Sequence, residues 1–126
     1  MKKKILILED DSVFSFILKK ALEKLGYDSI AANSKAEVLN IILQGEKIDL
    51  LLFDLTINND ENGFDILNFL RNVFPDLKAI ASTGTIIRNW KKYKIQGFLI
   101  KPYAIQELDL TLKNNTVLKA KMEVVS

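Results

Sequence analysis

The chain alternates short apolar runs, of the kind found in strands buried on both faces, with longer segments whose apolar residues recur at helical spacing. The runs predict strands at residues 4–9, 27–32, 49–54, 78–83 and 97–100. Because a helical segment follows each strand, the connections are right-handed crossovers and the strands run parallel. The pattern therefore predicts an α/β fold with helices on both faces of a five-stranded parallel sheet.

The helical segments carry recognisable end signals. An N-cap of Asp11 or Ser12 begins the first helix, and a capping box of Ser34 and Glu37 begins the second. The inner face of the first helix is predicted to hold Phe14, Ile17, Leu18, Ala21, Leu22 and Leu25. Further helices are predicted at 64–74, at 85–94 and from about residue 105. In a doubly wound, flavodoxin-like sheet of strand order 2-1-3-4-5, the ligand crevice lies between strands one and three.

Composition limits the chemistry that this chain can perform. Its 126 residues carry a formal charge of +2, too small to indicate direct binding to nucleic acid or to a membrane. Cysteine and histidine are both absent, so a bound metal must be a hard one held by oxygen. No apolar stretch approaches the ~20 residues of a membrane span. We therefore expect residues 1–126 to form a single cytoplasmic domain.

Acidic side chains follow two of the predicted strands. Glu9 and Asp10 follow the first strand, and Asp54 ends the third. Because parallel strands end at the same edge of a sheet, these carboxylates should meet there, and their mutual repulsion favours a bound cation. Mg²⁺ fits this donor set, with Mn²⁺ as an alternative. Asp10 and Asp54 would bind the ion directly, Glu9 partly through water, and the backbone carbonyl of Thr56 would be a further ligand.

Two other strands end in groups that suit a phosphate. Thr83 closes the fourth strand, and the backbone N–H of Gly84 can donate to a phosphate oxygen because glycine permits close approach. Lys101 closes the fifth strand and supplies a mobile positive charge. Once a cation neutralises the site, Asp54 can attack a phosphoryl group and form an acyl phosphate. The five strand-end side chains therefore predict a site that accepts phosphoryl groups.

The chain resembles the receiver domain of two-component response regulators over nearly its whole length. The resemblance rests on ILILEDD at 5–11, LLFD at 51–54, NG at 62–63, STG at 82–84 and FLIKPY at 98–103, in that order. It implies that a histidine kinase or a His phosphotransfer protein phosphorylates Asp54 with Mg²⁺, and that the acyl phosphate hydrolyses slowly. The domain would then act on itself only and would not be an enzyme for other substrates. It also implies a cis Lys101–Pro102 bond and a switch pair of Thr83 and Phe98.

The loop after Asp54 departs from the family pattern. Ile57 and Asn58 stand where the family usually has Met-Pro, and Gly63 lies nine positions after the acceptor instead of eight. We therefore expect a reshaped and mobile loop at 56–62. Its charges, Asp60 and Glu61, are interpreted as solvated.

The signal would leave this chain through contact with an unknown downstream protein. Phosphorylation is expected to change the face formed by helix four, strand five and helix five, and the aromatic residues Trp90, Tyr93 and Tyr103 are candidates for a docking surface there. The start at Met1 favours a stand-alone receiver, monomeric or weakly dimeric. One alternative is a receiver-like interaction module that is not phosphorylated. Another is a haloacid dehalogenase-like phosphatase, although Thr56 stands where that class has a second Asp.

Overall fold

A five-stranded parallel sheet lies at the centre of the computed structural model, which describes residues 2–58 and 60–114. In chain order the strands are β1 (Lys4–Leu8), β2 (Asp28–Ala32), β3 (Leu50–Phe53), β4 (Thr56–Ile57), β5 (Glu61–Asn62), β6 (Lys78–Thr83) and β7 (Gly97–Ile100). The main sheet has the order β2-β1-β3-β6-β7, which confirms the predicted 2-1-3-4-5. Because Leu8 pairs with Phe53 and Thr83 with Ile100, four strands end at one edge.

The side chains of the central strands are apolar and buried, so the polar side chains of the site lie at that edge. Residues 5–8 of β1 and 51–53 of β3 are all at most 1% exposed, so their faces hold apolar side chains only. The edge strand β2 is more polar and more exposed, as its sequence predicts. Polar groups can therefore reach solvent only where the central strands end.

In the part of the chain that the structure describes, four helices cover the sheet, and their caps follow the local sequence. They are α1 (Ser12–Lys24), α2 (Lys35–Leu43), α3 (Gly63–Val73) and α4 (Ile105–Asn114). Asp11, and not Ser12, caps α1, because its carboxylate accepts hydrogen bonds from the N–H groups of the next turn. At α2 the Ser34 hydroxyl accepts the Glu37 N–H at 3.2 Å, as the capping box predicts. The Glu37 carboxylate reaches the N–H of Asn33 instead of that of Ser34.

The apolar face of α1 is narrower than its sequence predicts. Leu18 and Leu22 are buried, but the prediction for Ile17 was wrong, since 55% of this residue is exposed. Val13 and Phe16 are also exposed, at 67% and 61%. The buried stripe follows every third or fourth residue, and these three side chains lie beside it. An apolar surface is therefore left on α1.

The helix predicted at 85–94 does not form. Only a 3₁₀ turn at Trp90–Tyr93 is present, with left-handed backbone at Asn89 and Lys94. Two causes in the sequence oppose a helix: β-branched residues occupy 85–87, and the cations of 88–94 have no acidic partners at helical spacing. Trp90 is only 7% exposed, so the prediction that it belongs to an exposed docking surface was also wrong.

The segment after Asp54 folds into a hairpin. Strands β4 and β5 pair antiparallel, with Thr56 opposite Asn62. Glu61, predicted to be solvated, accepts a hydrogen bond from the backbone N–H of Lys35 at 3.1 Å. The loop at 56–62 therefore contains a hairpin that is joined to the start of α2, and its difference from the family's loop stays a prediction. None of the helices described here is long and apolar enough to cross a membrane.

Candidate phosphoryl-acceptor and metal site

Three carboxylates meet at the carboxyl edge of the sheet. One oxygen from each of Glu9, Asp10 and Asp54 lies within 4.8 Å of the other two. The backbone places them there, because the N–H of Glu9 bonds to Ala32 of β2 and that of Asp54 bonds to Leu8 of β1. The predicted convergence of these three residues is therefore present, and the cluster is made of oxygen donors that a hard cation prefers.

Lys101 enters this cluster from the end of β7. Its ammonium donates to Glu9 Oε1 at 2.6 Å and to Asp54 Oδ2 at 3.1 Å. The peptide bond from Lys101 to Pro102 is cis, as the resemblance implies. Burial lowers the pKa of Lys101, but its hydrogen bond and charge attraction to Glu9 outweigh this and raise the pKa overall. The side chain is therefore a permanent cation in the acidic cluster.

Glu9 is the buried member of the cluster. Only 3% of the residue is exposed, and burial raises the pKa of its carboxyl group. The hydrogen bond from Lys101 and another from the backbone N–H of Asp11 oppose that rise. Asp10 is exposed and Asp54 half-buried, so these two carboxylates face solvent while Glu9 lies behind them.

Two aromatic side chains, Phe14 and Tyr103, pack beside Lys101. Its ammonium lies 4.7 Å from the ring centroid of Phe14, which packs edge-to-face against Tyr103 at 5.8 Å. The hydroxyl groups of Tyr103 and Ser82 are hydrogen-bonded at 2.9 Å, and burial raises the pKa of Tyr103. The docking role of Tyr103 stays a prediction; the residue is half-buried and, through its contact with Phe14, helps to hold the lysine in place. Its position one residue beyond Pro102 was the signal that could have indicated this.

Thr83, Gly84 and Phe98 lie on the β6 and β7 side of the cluster. Thr83 is 3% exposed, and its hydroxyl oxygen accepts the backbone N–H of Thr85 at 3.2 Å. A Cβ added to Gly84 would meet no atom within 4 Å, so open space lies beside this backbone. Phe98 is fully buried and packs edge-to-face with Trp90, 6.0 Å between ring centroids. The roles assigned to these three residues stay predictions.

Asn58 is a site residue that sequence reasoning missed. Its backbone N–H donates to Asp10 Oδ2 at 2.9 Å, and its side-chain amide donates to the carbonyl of Asn33 at 2.9 Å. The residue has a left-handed φ of 54°, which asparagine tolerates better than most residues. An asparagine in a lengthened loop was the available signal. The hairpin is therefore attached to a carboxylate of the cluster.

Gly63 allows α3 to start directly against the acceptor strand. A Cβ at this position would overlap the backbone carbonyl oxygen of Asp54 and lie 2.8 Å from Cδ2 of Phe53. The Gly63 N–H also donates to the carbonyl of Leu55 at 2.7 Å. Thr56, whose carbonyl was predicted to be a metal ligand, directs its N–H toward Asp54 Oδ1 at 3.4 Å. Glycine thus allows the hairpin and α3 to pack close to Asp54.

The fold and the site define a flavodoxin-like domain whose acidic edge is paired with a lysine. A family model described as the response regulator receiver domain matches residues 5–113. The chain belongs to this family, as its motifs predict. It is a phosphorylation-dependent signalling domain of the two-component type, and neither the phosphatase nor the non-phosphorylated alternative has support.

The relatives and solved structures similar to this chain agree with that assignment. The DNA-binding transcriptional regulator NtrC of Bradyrhizobium sp. is 29% identical over 97% of this chain and 26% of its own length. The sporulation initiation phosphotransferase F of Bacillus subtilis is 27% identical over 95% of this chain and 98% of its own length. A CheY-like receiver domain from Methanospirillum hungatei superposes with a TM-score of 0.78 at 26% identity, covering 98% of each chain. The chain spans less than half of several relatives, including 24% of an NtrC of Azospirillum brasilense.

Receiver domains bind Mg²⁺ at an acidic pocket, and the residues here fit that ion. Carboxylate oxygens from Glu9, Asp10 and Asp54 are close enough to share one cation, and the chain contains no histidine or cysteine that would favour a softer metal. The family also interacts with histidine kinases or phosphotransfer proteins. The site therefore has both the charge and the donor atoms that a phosphoryl-accepting domain needs.

Proposed function

We propose that Asp54 is the phosphoacceptor of a cytoplasmic signalling switch, and that its donor is a histidine kinase or a His phosphotransfer protein. The observation that carries this proposal is the double contact of Lys101 with Glu9 and Asp54 inside a cluster of three carboxylates. A cap or a simple turn residue at position 54 would not need a half-buried cation at 3.1 Å. The half-buried carboxylate of Asp54 is also open to an incoming group.

In the proposed transfer, a carboxylate oxygen of Asp54 forms the new P–O bond while the P–N bond of the donor phosphohistidine breaks. The imidazole leaves, and an acyl phosphate remains on Asp54. Lys101 is placed to move from Asp54 Oδ2 to a phosphate oxygen. The Thr83 hydroxyl and the Gly84 N–H are assigned to other phosphate oxygens. These residues position and neutralise charge, which is most of what catalysis of phosphoryl transfer requires.

Glu9, Asp10 and Asp54, with the backbone carbonyl of Thr56, are the groups that we assign to Mg²⁺. When bound, the ion neutralises negative charge between the acceptor and the phosphoryl oxygens. Glu9 is the least accessible of the three carboxylates and already pairs with Lys101, so it is assigned a contact through water. The same groups would catalyse slow loss of the phosphoryl group from Asp54, and no other substrate is proposed.

The exposed apolar surface on α1 supports docking of a protein donor. Val13, Phe16 and Ile17 are all more than half exposed, and α1 begins directly after the acidic pair. A cavity of about 300 Å³ beside them is lined by Glu9, Asp10 and Phe16, among others. A donor helix seated on this surface could bring its phosphohistidine to Asp54.

The decisive experiment uses a small phosphodonor. Wild-type protein incubated with acetyl phosphate and Mg²⁺ should gain one phosphoryl group, as measured by mass spectrometry of the intact chain. Asp54→Asn should gain none, because the amide is a poor nucleophile, and a chelator should block the wild-type reaction. Asp60→Asn, which changes an exposed carboxylate in the hairpin, is the matched control and should react normally. Equal labelling of Asp54→Asn, or no labelling of wild type, would refute the acceptor assignment.

A second prediction concerns Asn58, which we propose positions Asp10 for the metal. Asn58→Val should raise the dissociation constant for Mg²⁺ about tenfold, because a β-branched residue disfavours the left-handed backbone that directs the N–H to Asp10. Asn58→Gly keeps that backbone accessible and should change the constant by less than about threefold. Isothermal titration calorimetry measures both. Equal affinities in the valine and glycine variants would show that the hairpin does not act on Asp10.

Output is proposed to occur through protein contact with a downstream partner, from a monomer or weak dimer. The corresponding face consists of the segment 85–94, strand β7 and helix α4, although the segment contains only a 3₁₀ turn at Trp90–Tyr93 and no α-helix. Thr83 and Phe98 are the proposed switch pair. The Thr83 hydroxyl would exchange the Thr85 N–H for the phosphate, and the Phe98 ring would adjust behind it.

A further inference from the structure

The charges of this chain are divided unevenly along its length. Residues 77–106 contain six Lys and Arg side chains and no Asp or Glu. The remaining 12 Lys and Arg residues are accompanied by all 16 Asp and Glu residues of the chain. The small net charge of +2 therefore conceals one basic stretch in an otherwise acidic protein.

Four of these six cations lie in the segment 88–94, which we call the basic turn. Arg88, Lys91, Lys92 and Lys94 are all exposed. Within residues 2–58 and 60–114, no carboxylate forms an ion pair with any of the four. Solvated lysines are ordinary, but four uncompensated cations in seven residues form a concentrated positive surface.

The basic turn is held in one conformation by its aromatic residues and by Arg71. Trp90 packs against Phe98, and Tyr93 stacks on Phe64 with 4.0 Å between ring centroids and 19° between planes. The Arg71 guanidinium donates to the backbone carbonyls of Tyr93 at 3.2 Å and Lys94 at 2.7 Å. The ammonium groups of Lys91 and Lys92 lie over the Trp90 and Tyr93 rings, 6.0 and 5.0 Å from the ring centroids, and both lysines are exposed. A partner would therefore meet a preorganised surface and not a flexible basic tail.

We propose that the basic turn docks an acidic polypeptide segment of a partner protein. A groove of about 460 Å³, lined by Asn89, Trp90, Lys91 and Lys92, could receive one apolar side chain of that segment. Carboxylates on either side would pair with the surrounding cations. A short polypeptide fits better than a nucleic acid because the cations occupy a single turn, whereas a nucleic acid needs positive charge along a row of phosphates.

The position of the basic turn links it to the proposed switch, and this part of the inference rests on the proposed function. Trp90 contacts Phe98, and the turn follows Thr83 by only a few residues. A change in the Phe98 ring would move Trp90 and with it one wall of the groove. We therefore expect the affinity for the acidic segment to differ between the free and the phosphorylated chain.

The first test uses a fluorescein-labelled octaglutamate peptide and the unmodified protein. Fluorescence anisotropy should show binding that weakens as salt rises. The double variant Lys91→Gln/Lys92→Gln should bind about tenfold more weakly, since two surface ion pairs are removed. Lys24→Gln/Lys47→Gln removes the same charge from exposed positions elsewhere and should bind like wild type. If both double variants lose affinity equally, the attraction is non-specific and the proposal fails.

The second test compares three classes of binding partner and then examines the link to the switch. A twelve-nucleotide oligothymidine and phosphatidylserine vesicles replace the peptide in the same assay. Tighter binding of either one, lost in Lys91→Gln/Lys92→Gln, would overturn the assignment to an acidic protein segment. Beryllofluoride then mimics the phosphoryl group on Asp54, and an unchanged peptide affinity would overturn the link to the switch. Because peptide binding is measured without phosphorylation, failure of Asp54 to react would leave the docking result interpretable.

Discussion

Lys101→Met is expected to lower the free energy of unfolding by about 3 kcal/mol at neutral pH in a chelating buffer. The ammonium is the close positive partner of the buried Glu9 carboxylate, at 2.6 Å, and it also offsets the charge of Asp54 at 3.1 Å. Methionine fills a similar volume but leaves a buried negative charge without its cation. Urea denaturation of the two proteins measures the loss directly.

The lower unfolding free energy of Lys101→Met should depend on pH, because the burial of Glu9 changes the pKa of its carboxyl group. The pKa of Glu9 is raised by burial, and without Lys101 it should rise further. A carboxyl group with a folded-state pKa above its unfolded value contributes stability below the unfolded pKa and loses it as pH rises through the folded pKa. The deficit of Lys101→Met should therefore shrink as pH falls toward 4.5, the ordinary value.

A matched double variant isolates the charge effect. Glu9→Gln/Lys101→Met has no buried charge to neutralise and should be more stable at neutral pH than Lys101→Met alone. Saturating Mg²⁺ should also restore part of the stability of Lys101→Met, because the ion supplies positive charge to the same carboxylates. If the double variant is as unstable as the single one, packing of the Lys101 side chain on Phe14 is the main contribution and the electrostatic account is wrong.

Gly63→Ala is the second substitution with a large expected effect, a loss of about 3 kcal/mol in unfolding free energy. The added methyl would overlap the Asp54 carbonyl oxygen, and the Phe53 ring is only 2.8 Å from the same point. Backbone and a fully buried ring cannot move aside without displacing the strand end. Acceptance of phosphate from acetyl phosphate should fall as well, because the carboxylate of Asp54 is carried by that strand end. Thermal or urea denaturation and the mass assay measure the two effects.

Gly84→Ala provides the contrast for Gly63→Ala. A Cβ at Gly84 meets no atom within 4 Å, so its unfolding free energy should stay within about 0.5 kcal/mol of wild type. Phosphorylation should nevertheless slow, because the methyl occupies space assigned to phosphate. A stable, fully active Gly63→Ala protein would contradict the close packing described here. A Gly84→Ala protein that reacts at the normal rate would remove this glycine from the site.

The sheet and the acidic cluster could be predicted because both follow from local rules. Buried parallel strands have continuous apolar sequences, and parallel strands end at the same edge, so the convergence of Glu9, Asp10, Asp54 and Lys101 follows from strand assignment alone. Both ends of each strand were predicted to within one residue. The edge position of β2 was also readable from its polar composition.

The segment 85–94 could not be predicted correctly from apolar spacing alone. Ile87 and Trp90 are three residues apart and are both buried, which is compatible with a helix and with a 3₁₀ turn. Three effects favour the turn: β-branched residues at 85–87, cations at 88–94 without acidic partners, and the hydrogen bonds that Arg71 makes from another helix. The contact of Asn58 with Asp10 was also beyond sequence reasoning, since it depends on how a hairpin is placed against a strand 48 residues away.

Arg71 also determines which part of the β6–β7 connection can move. Its guanidinium donates to the backbone carbonyl of Leu77, directly before β6. It also donates to the carbonyls of Tyr93 and Lys94, at the end of the connection that leads into β7. A segment that is held at one end moves most at its other end. Displacement that begins at Thr83 would thus be concentrated in residues 84–89 and reach Trp90, while the anchor near β7 stays fixed. A small shift of the Thr83 hydroxyl would then tilt the cations of the basic turn that contact a partner.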